Sequence, residues 1–346
     1  MSNAAPVLRE AEALPQPYLL FLGDITEPGY AKTAFGLCDW APERCIGEFA
    51  IQGAGVSTGL PRLTPAQAHA LGARSMVIGV ANPGGRIPPA WVPSLLDALQ
   101  AGLDLVGGMH ARLAGIDVLR NAAIAHGRRL IDVREPPTEL PVASGRKRTG
   151  NRLLTVGTDC ALGKKYTALS LARAFRARGL AADFRASGQT GILIAGAGIP
   201  MDAVVADFAA GAAECLSPDA DPAHWDVIEG QGSLSHPAYA GVSLSLLHGS
   251  QPDVIVVCHA SGRERMLGHA HYLLPSIEET IELALRLGVR TNPAIRCAGV
   301  SLNTAALDDA AAQDAIASTA ARLGLPVADP VRGGAAFDRL VDACLA

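Results

Sequence analysis

Of the turns in this 346-residue chain, the one between Leu153 and Thr167 carries the sharpest chemical signal. Leu153-Leu154-Thr155-Val156 reads as a strand, Gly157-Thr158-Asp159-Cys160-Ala161-Leu162 as a loop, and Gly163-Lys164 opens a run of helix formers. A strand, a glycine-bearing loop and a helix N-terminus point backbone N–H groups at one anion, and the lysine adds a mobile charge. Two departures from the usual phosphate loop matter. The first glycine is displaced by one position, so that Thr158 stands where glycine would. Lys165 follows Lys164, where nucleotide hydrolases place a hydroxyl that holds magnesium. A second cation there favours anchoring a phosphate over cleaving a triphosphate. The alternative is an ordinary glycine-rich turn with a chance lysine. Cys160 gains thiolate character from the helix dipole and reads as an acyl-accepting nucleophile or as a small loop filler.

Other apolar runs also end in reactive residues. Asp226-Val227-Ile228 leads into Glu229-Gly230-Gln231-Gly232. In open α/β sheets the carboxyl ends of the strands line the ligand crevice, which makes Glu229 a candidate acid or base. His259, closing Val254-Ile255-Val256-Val257-Cys258, is a second, because its ordinary pKa lies near working pH. Arg263 could clamp a carboxylate or phosphate in two-pronged fashion, although a surface arginine would look the same. Gln189, in Ser187-Gly188-Gln189-Thr190-Gly191, and Asn303, in Leu302-Asn303-Thr304, supply polar groups for a cofactor. Earlier in the chain, Gly84-Gly85-Arg86, Gly108-Met109-His110 and Asp132-Val133-Arg134 each follow a strand. They place Arg86, His110 and Arg134 along one edge, with Asp24 as a possible partner, to receive an acidic substrate. Simple strand capping would use the same residues. His269 and His271 have no third ligand at convincing spacing, so no metal is expected.

The elements that position these turns follow from a repeated rhythm of short apolar run, turn and Ala/Leu-rich amphipathic stretch, which specifies βα units and parallel sheets. Strands are expected at Tyr18–Leu22, Ser75–Val80, Leu103–Val106 and Leu130–Val133, with helices at Pro65–Leu71, Trp91–Ala101 and Ile116–His126. A second series has strands at Arg152–Val156, Ala182–Arg185, Val227–Ile228, Val254–Cys258, Gly299–Leu302 and Pro326–Val327. Its helices are expected at Lys164–Arg178, Asp202–Ala213, Ile277–Leu287, Ala310–Leu323 and Phe337–Ala343. Between the series, the Pro-rich stretch from Pro136 to Gly150 reads as a linker, and its basic run Arg146-Lys147-Arg148 as solvated. The expected architecture is α/β throughout: a Rossmann-like domain over residues 1–140, a linker at 141–150, and a P-loop NTPase-like parallel-sheet domain over 151–346.

Composition narrows the function classes. With 49% hydrophobic and 18% charged residues the chain has ample core, and a net charge of −4 without long basic runs argues against nucleic acid. Seven scattered cysteines without a C-x-x-C pair suggest neither a disulfide framework nor structural zinc. No apolar run approaches the roughly 18 residues of a membrane span. The expectation is a cytoplasmic protein, and its Gly/Ala-rich helices suggest a homo-oligomer.

Taken together, Gly157-Thr158-Asp159-Cys160, Gly163-Lys164, Ser187-Gly188-Gln189-Thr190-Gly191, Glu229-Gly230-Gln231-Gly232-Ser233-Leu234 with His236-Pro237, Cys258-His259 with Gly262-Arg263, and Ser301-Leu302-Asn303-Thr304 resemble the D-glutamate N-acetyltransferase family. Gly84-Gly85-Arg86, Gly108-Met109-His110 and Asp132-Val133-Arg134 extend the resemblance over nearly the whole chain. It implies acetyl transfer from acetyl-CoA, as co-substrate, to the amino group of D-glutamate, within D-amino-acid catabolism. The loop also resembles that of dethiobiotin synthetase, whose threonine after the lysine is absent here. An ATP- and magnesium-dependent ligase or kinase is therefore the alternative. In the acetyltransferase reading, Gly157, Thr158, Asp159, Cys160, Gly163, Lys164, Lys165, Gln189 and Asn303 face the coenzyme. Arg86, His110, Arg134 and Arg263 then hold the amino acid, and Glu229 or His259 takes the proton.

Overall fold

The computed structural model describes residues 14–346. They divide into two compact units: residues 14–136 together with Gln189–Pro200, and Pro137–Gly188 together with Met201–Ala346.

The first unit is one parallel sheet of β1 (Tyr18–Gly23), β2 (Cys45–Ala50), β3 (Ser75–Ile78), β4 (Asp104–Gly107) and β5 (Leu130–Asp132), in the order β2-β1-β3-β4-β5. Helices α1 (Lys32–Trp40), α2 (Pro65–Ala70), α3 (Val92–Gln100) and α4 (Asp117–His126) join the strands. Every residue of β1 is buried, as a parallel strand covered on both faces must be. Strand order reverses beside β1, and the carboxyl ends of β1 and β3 flank that point, the usual location of a ligand crevice.

The sequence reading lacks β2 and α1. Cys45-Ile46-Gly47-Glu48-Phe49-Ala50 holds a glycine and a carboxylate and shows no strand signature. Yet Glu48 is fully buried, because Ser57 Oγ (2.7 Å), the Thr58 N–H (2.5 Å) and Thr58 Oγ1 (2.6 Å) donate to it. A buried carboxylate with its acceptors filled is tolerated where an unpaired one is not.

The second unit has six parallel strands, β6 (Asn151–Gly157), β7 (Ala182–Arg185), β8 (Trp225–Ile228), β9 (Val254–Ala260), β12 (Arg296–Asn303) and β13 (Val327–Ala328), in the order β13-β12-β9-β6-β8-β7. A small antiparallel hairpin, β10 (Arg265–Met266) and β11 (His269–Leu273), follows β9. Helix α5 (Lys164–Ala177) leaves β6, and its Ala168, Leu171, Ala172 and Phe175 pack over Leu153, Val227 and Val256. Phe175 meets Trp225 edge-on at 5.2 Å.

Helix α6 (Gln189–Ala195) was read from sequence as part of a turn. It packs instead with the first unit, where Thr190 Oγ1 lies 3.0 Å from Thr33 Oγ1 on α1 and the Ile194 carbonyl accepts from Arg44 at 2.9 Å. The helix expected over Asp202–Ala213 is a 3-10 turn at Met201–Ala203 followed by α7 (Ala206–Leu216). Helix α8 (Ala240–Ser250) was missed because its Gly/Ser-rich face shows no apolar stripe. It packs by close backbone approach, and a Cβ at Gly249 would stand 2.1 Å from the Ala210 carbonyl oxygen on α7. Helices α9 (Ile277–Gly288), α10 (Asp309–Leu323) and α11 (Gly334–Leu345) complete the layers.

The basic run Arg146-Lys147-Arg148 is not simply solvated. Arg148 is buried and donates to the carbonyls of Ser217 (2.6 Å) and Gly249 (2.7 Å), while Lys147 pairs with Asp253 at 2.7 Å. Carbonyl groups left open at chain turns supply acceptors that a sequence pattern does not reveal.

Candidate functional site

The strand–loop–helix at the centre of the second unit builds an anion cradle. Gly163 precedes α5 with φ +102°, in a region that favours glycine, and Ala161 sits at φ +52°, which for a residue with a side chain costs on the order of 1–2 kcal/mol. That cost is met by the closed shape of the loop. Lys164 is only 6% exposed, and its Nζ folds back to donate to the Asp159 carbonyl at 2.7 Å. Burial pulls its pKa down, while charge on Cys160, Cys258, Asp159 and Glu229 opposes the fall. A Cβ at Gly157 would stand 3.1 Å from that Nζ, and one at Gly230 would stand 1.7 Å from the Thr155 carbonyl oxygen and 3.2 Å from Lys164 Cδ. Gly230 is therefore required where its backbone meets Thr155, and Gly157 leaves the lysine room. Lys165 lies against the Tyr166 ring, 5.0 Å from its centroid.

Glu229 closes one side. Its Oε2 accepts the N–H groups of Ser187 (3.0 Å) and Gly188 (3.1 Å), and the Ser187 hydroxyl donates to the Glu229 carbonyl at 2.5 Å. Burial pushes its carboxyl up to about 7, with Lys165, the two N–H groups and Lys164 pulling the other way. A buried carboxyl near neutrality beside an anion site has the strength for general base chemistry. Next to it, the Gly230 N–H donates to Thr155 Oγ1 at 2.9 Å, and Gln231 Nε2 donates to Ser187 Oγ at 3.0 Å.

His259 closes the other side, its Nδ1 2.9 Å from Thr158 Oγ1; burial, then Arg263 and Arg322, lower its pKa. Asp159 is fully buried and its carboxylate is already engaged. It takes the N–H of Cys160 (2.6 Å) and of Leu267 (2.8 Å), with Arg263 at 3.4 Å. Arg263 also donates to the Cys160 carbonyl at 2.9 Å. Asp159 and Arg263, expected to touch ligands, thus brace the loop against the hairpin β10–β11. Asn303 caps its own turn through the Ala305 N–H at 3.0 Å, at the end of β12 beside β9.

Sequence reasoning gave His236 no role. Its Nδ1 accepts the N–H groups of Ala238 (3.1 Å) and Tyr239 (3.2 Å), so the neutral ring carries its proton on Nε2. Burial lowers the His236 pKa, against the pull of Asp159, which keeps the ring neutral. Nε2 is buried without a hydrogen-bond partner, 3.8 Å from Asp159 Oδ1. Asp159, Cys160 and His236 offer ligand atoms within 4.8 Å of one another. A ligating Nε2 would need its proton on Nδ1, which the two backbone donors forbid, so this histidine is set to donate. Its sequence signal was the His236-Pro237 pair within the family resemblance, which named no role for the ring.

In the first unit, turns at the strand ends gather the other expected residues. Arg134 Nη1 lies 2.8 Å from His110 Nε2. Gly85 (φ +55°) lets the chain run against His110, where a Cβ would come 2.6 Å from the His110 backbone nitrogen. Trp91 Nε1 donates to Asp24 at 2.8 Å, and Arg86 is exposed, its N–H bound to Asn82 Oδ1 at 3.1 Å. Burial raises Asp132 to about 6, against the pull of the Leu113 N–H. Gln189, expected with the phosphate loop, packs in this unit instead: a Cβ on Gly108 would stand 1.9 Å from its Oε1.

Among the described residues no helix is long and apolar enough to cross a membrane. Comparisons with known proteins agree with the architecture. Residues 44–136 match a domain of unknown function described as Rossmann-like, DUF1611_N, and residues 141–341 match its P-loop partner, DUF1611. A protein of Pseudoalteromonas sp. named D-glutamate N-acetyltransferase is 48% identical over 92% of this chain and 96% of its own length. One of the same name from Tritonibacter scottomollicae is 48% identical over 95% of this chain and 98% of its own length. The crystal structure of a DUF1611 family protein from Anabaena variabilis superposes with a TM-score of 0.83 at 36% identity, covering 95% of this chain and 98% of that one.

Proposed function

The chain belongs to the DUF1611 family of paired Rossmann-like and P-loop domains, and from that premise we propose that it is a D-glutamate N-acetyltransferase, moving the acetyl group of acetyl-CoA to the substrate's amino group. The observation that carries this reading is a preformed cradle with Lys164 and Lys165 adjacent and no hydroxyl after the first lysine, on a chain 48% identical to two proteins of that name. Two lysines and a helix N-terminus neutralise coenzyme phosphates without the magnesium ligand a nucleotide hydrolase uses.

In this reading the segment from Gly157 to Lys165 grips the phosphates. Glu229 takes the ammonium proton, so that the free amine attacks the thioester carbonyl and the coenzyme thiolate leaves. The pantetheine arm must then fold back over the loop, because Glu229 lies beside Lys164. His259 orients Thr158 at the loop's far side. Arg86, His110 and Arg134 hold the carboxylates of the amino acid. The enzyme works in the cytoplasm, consistent with seven unbridged cysteines, and assembles as a homo-oligomer.

One observation favours a second reading of the loop. Glu229 and Lys164 share a single cradle, so with an extended coenzyme the lysines would hold the amino acid's carboxylate while Glu229 acts as base. The variant Lys164→Ala separates the two. Phosphate anchoring predicts a rise in KM for acetyl-CoA, and carboxylate anchoring a rise in KM for D-glutamate. The reaction itself is tested by following free thiol from acetyl-CoA with D- or L-glutamate. Thiol release with the D-isomer is expected, and release of phosphate from ATP only when magnesium is present would overturn the assignment.

A further inference from the structure

Cys160 is the half-buried thiol of the loop, and three features converge on it. Lys164 and Cys160 interact favourably as a charge pair. The N-terminus of α5 begins four residues on, with its dipole favouring an anion. The third feature is independent of the loop: His236, buried and neutral, brings a ring nitrogen within 4.8 Å of Cys160 Sγ, and its Nε2–H, 3.8 Å from Asp159 Oδ1, has no hydrogen-bond partner. A donor stripped of water and left without an acceptor is costly, and a thiolate is the acceptor that would satisfy it.

We propose that Cys160 is an oxidation site, a thiolate that hydroperoxides convert to a sulfenic acid inside the anion cradle, closing the loop to its phosphate-bearing ligand. The sulfur attacks the distal peroxide oxygen. An S–O bond forms as the O–O bond breaks, sulfur loses two electrons, and the leaving alkoxide or hydroxide takes a proton from water. The new oxygen lies against Lys164 and the His236 donor, where a ligand's oxygen would otherwise compete. Low-molecular-weight thiols reverse the step through a mixed disulfide, with loss of water. Other cysteines are less exposed to this chemistry: burial pushes Cys297 up to about 11 and Cys344 up to about 12, and raises Cys258 as well. Cys38 is the competitor, its pKa lowered chiefly by interaction with the Cys45 thiol.

The test uses the full chain in a Cys38→Ser background, treated with limiting hydrogen peroxide and read by peptide mass spectrometry and by inorganic pyrophosphate binding. Cys160 is expected to gain one oxygen at least ~10-fold faster than any other cysteine, pyrophosphate to protect it, and pyrophosphate binding to fall with oxidation and return with dithiothreitol. His236→Phe, which keeps the ring and removes the donor, is expected to slow the oxidation several-fold. Should that variant not fold, alkylation of Cys160 by iodoacetamide in the wild-type chain reads the thiol's nucleophilicity directly, and a rate above that of an unfolded peptide is expected. A Cys160 that stays reduced, alkylates no faster than an unfolded peptide, or oxidises with pyrophosphate binding intact would overturn the proposal. Protein mass and pyrophosphate affinity do not depend on acetyl transfer, so failure here leaves the proposed function standing.

Discussion

The strand ends of the two units solve different problems with similar turns. In the second unit three buried charged groups of the cradle are engaged before a ligand arrives: Lys164 by a carbonyl, Glu229 by two amides, Asp159 by two amides and an arginine. In the first unit Arg86 is exposed, and Arg134 leans on the His110 ring. Buried charges held this way tolerate little change in ligand geometry, because each lost bond leaves a desolvated group behind. An exposed arginine can follow its ligand at the cost of side-chain entropy. Under the proposed function, the bonded cradle suits the coenzyme's phosphates and the exposed turns suit the amino acid.

Glu229→Gln should break the rigid side most severely. The amide keeps the shape and cannot take a proton, so kcat is expected to fall ~10²–10³-fold. In the wild type kcat/KM should climb with pH through about 7 as the carboxyl ionises, and the variant should lose that rise. Stability moves the opposite way. Because folding raises this carboxyl's pKa from 4.5, the folded state holds the proton more tightly and the wild type loses stability between about pH 4.5 and 7. Denaturant titrations should show Glu229→Gln gaining up to ~3 kcal/mol on the wild type at pH 8 and little at pH 4.

Lys164→Ala comes next, with KM for acetyl-CoA up ~10–100-fold, the value of one buried charged hydrogen bond, and KM for D-glutamate nearly unchanged. Arg134→Lys probes the softer side. It keeps the charge and loses the planar fork, so KM for D-glutamate should rise ~5-fold with kcat held. An effect as large as that of Lys164→Ala would erase the distinction between the units. The smallest effect is expected for Thr190→Val, which removes one buried hydroxyl pair with Thr33 and should cost ~1 kcal/mol in thermal or denaturant unfolding without changing either KM.

The regular parts were legible because they follow period and punctuation. Continuous runs such as Val254–Val257 announce doubly covered strands, and Gly163-Lys164 announces a helix opening on an anion. What stayed hidden depends on contacts distant in sequence. Glu48 turned a polar hexapeptide into a buried strand through Ser57 and Thr58. Helix α8 is held by the closeness of backbones at Gly249, which leaves no apolar stripe to read. At the site, Glu229 was legible from its place at a strand end, whereas its amide clamp at Ser187 and Gly188 was not. The contacts by which Asp159 and Arg263 brace the loop were not legible, because their partners lie far along the chain. The tautomer of His236 rests on two backbone N–H groups that no side-chain pattern encodes.

The chain's detour through Gln189–Pro200 makes the halves interdependent as gene fragments. Severing the polypeptide in the linker would deprive the leading piece of α6, baring the α1 surface around Thr33. The trailing piece would carry an orphan helix beginning at the residue after Gly188, one of the two amides that clamp Glu229. Neither fragment would be a finished domain, and a disturbance of that inserted helix would be felt first at the Glu229 carboxyl group.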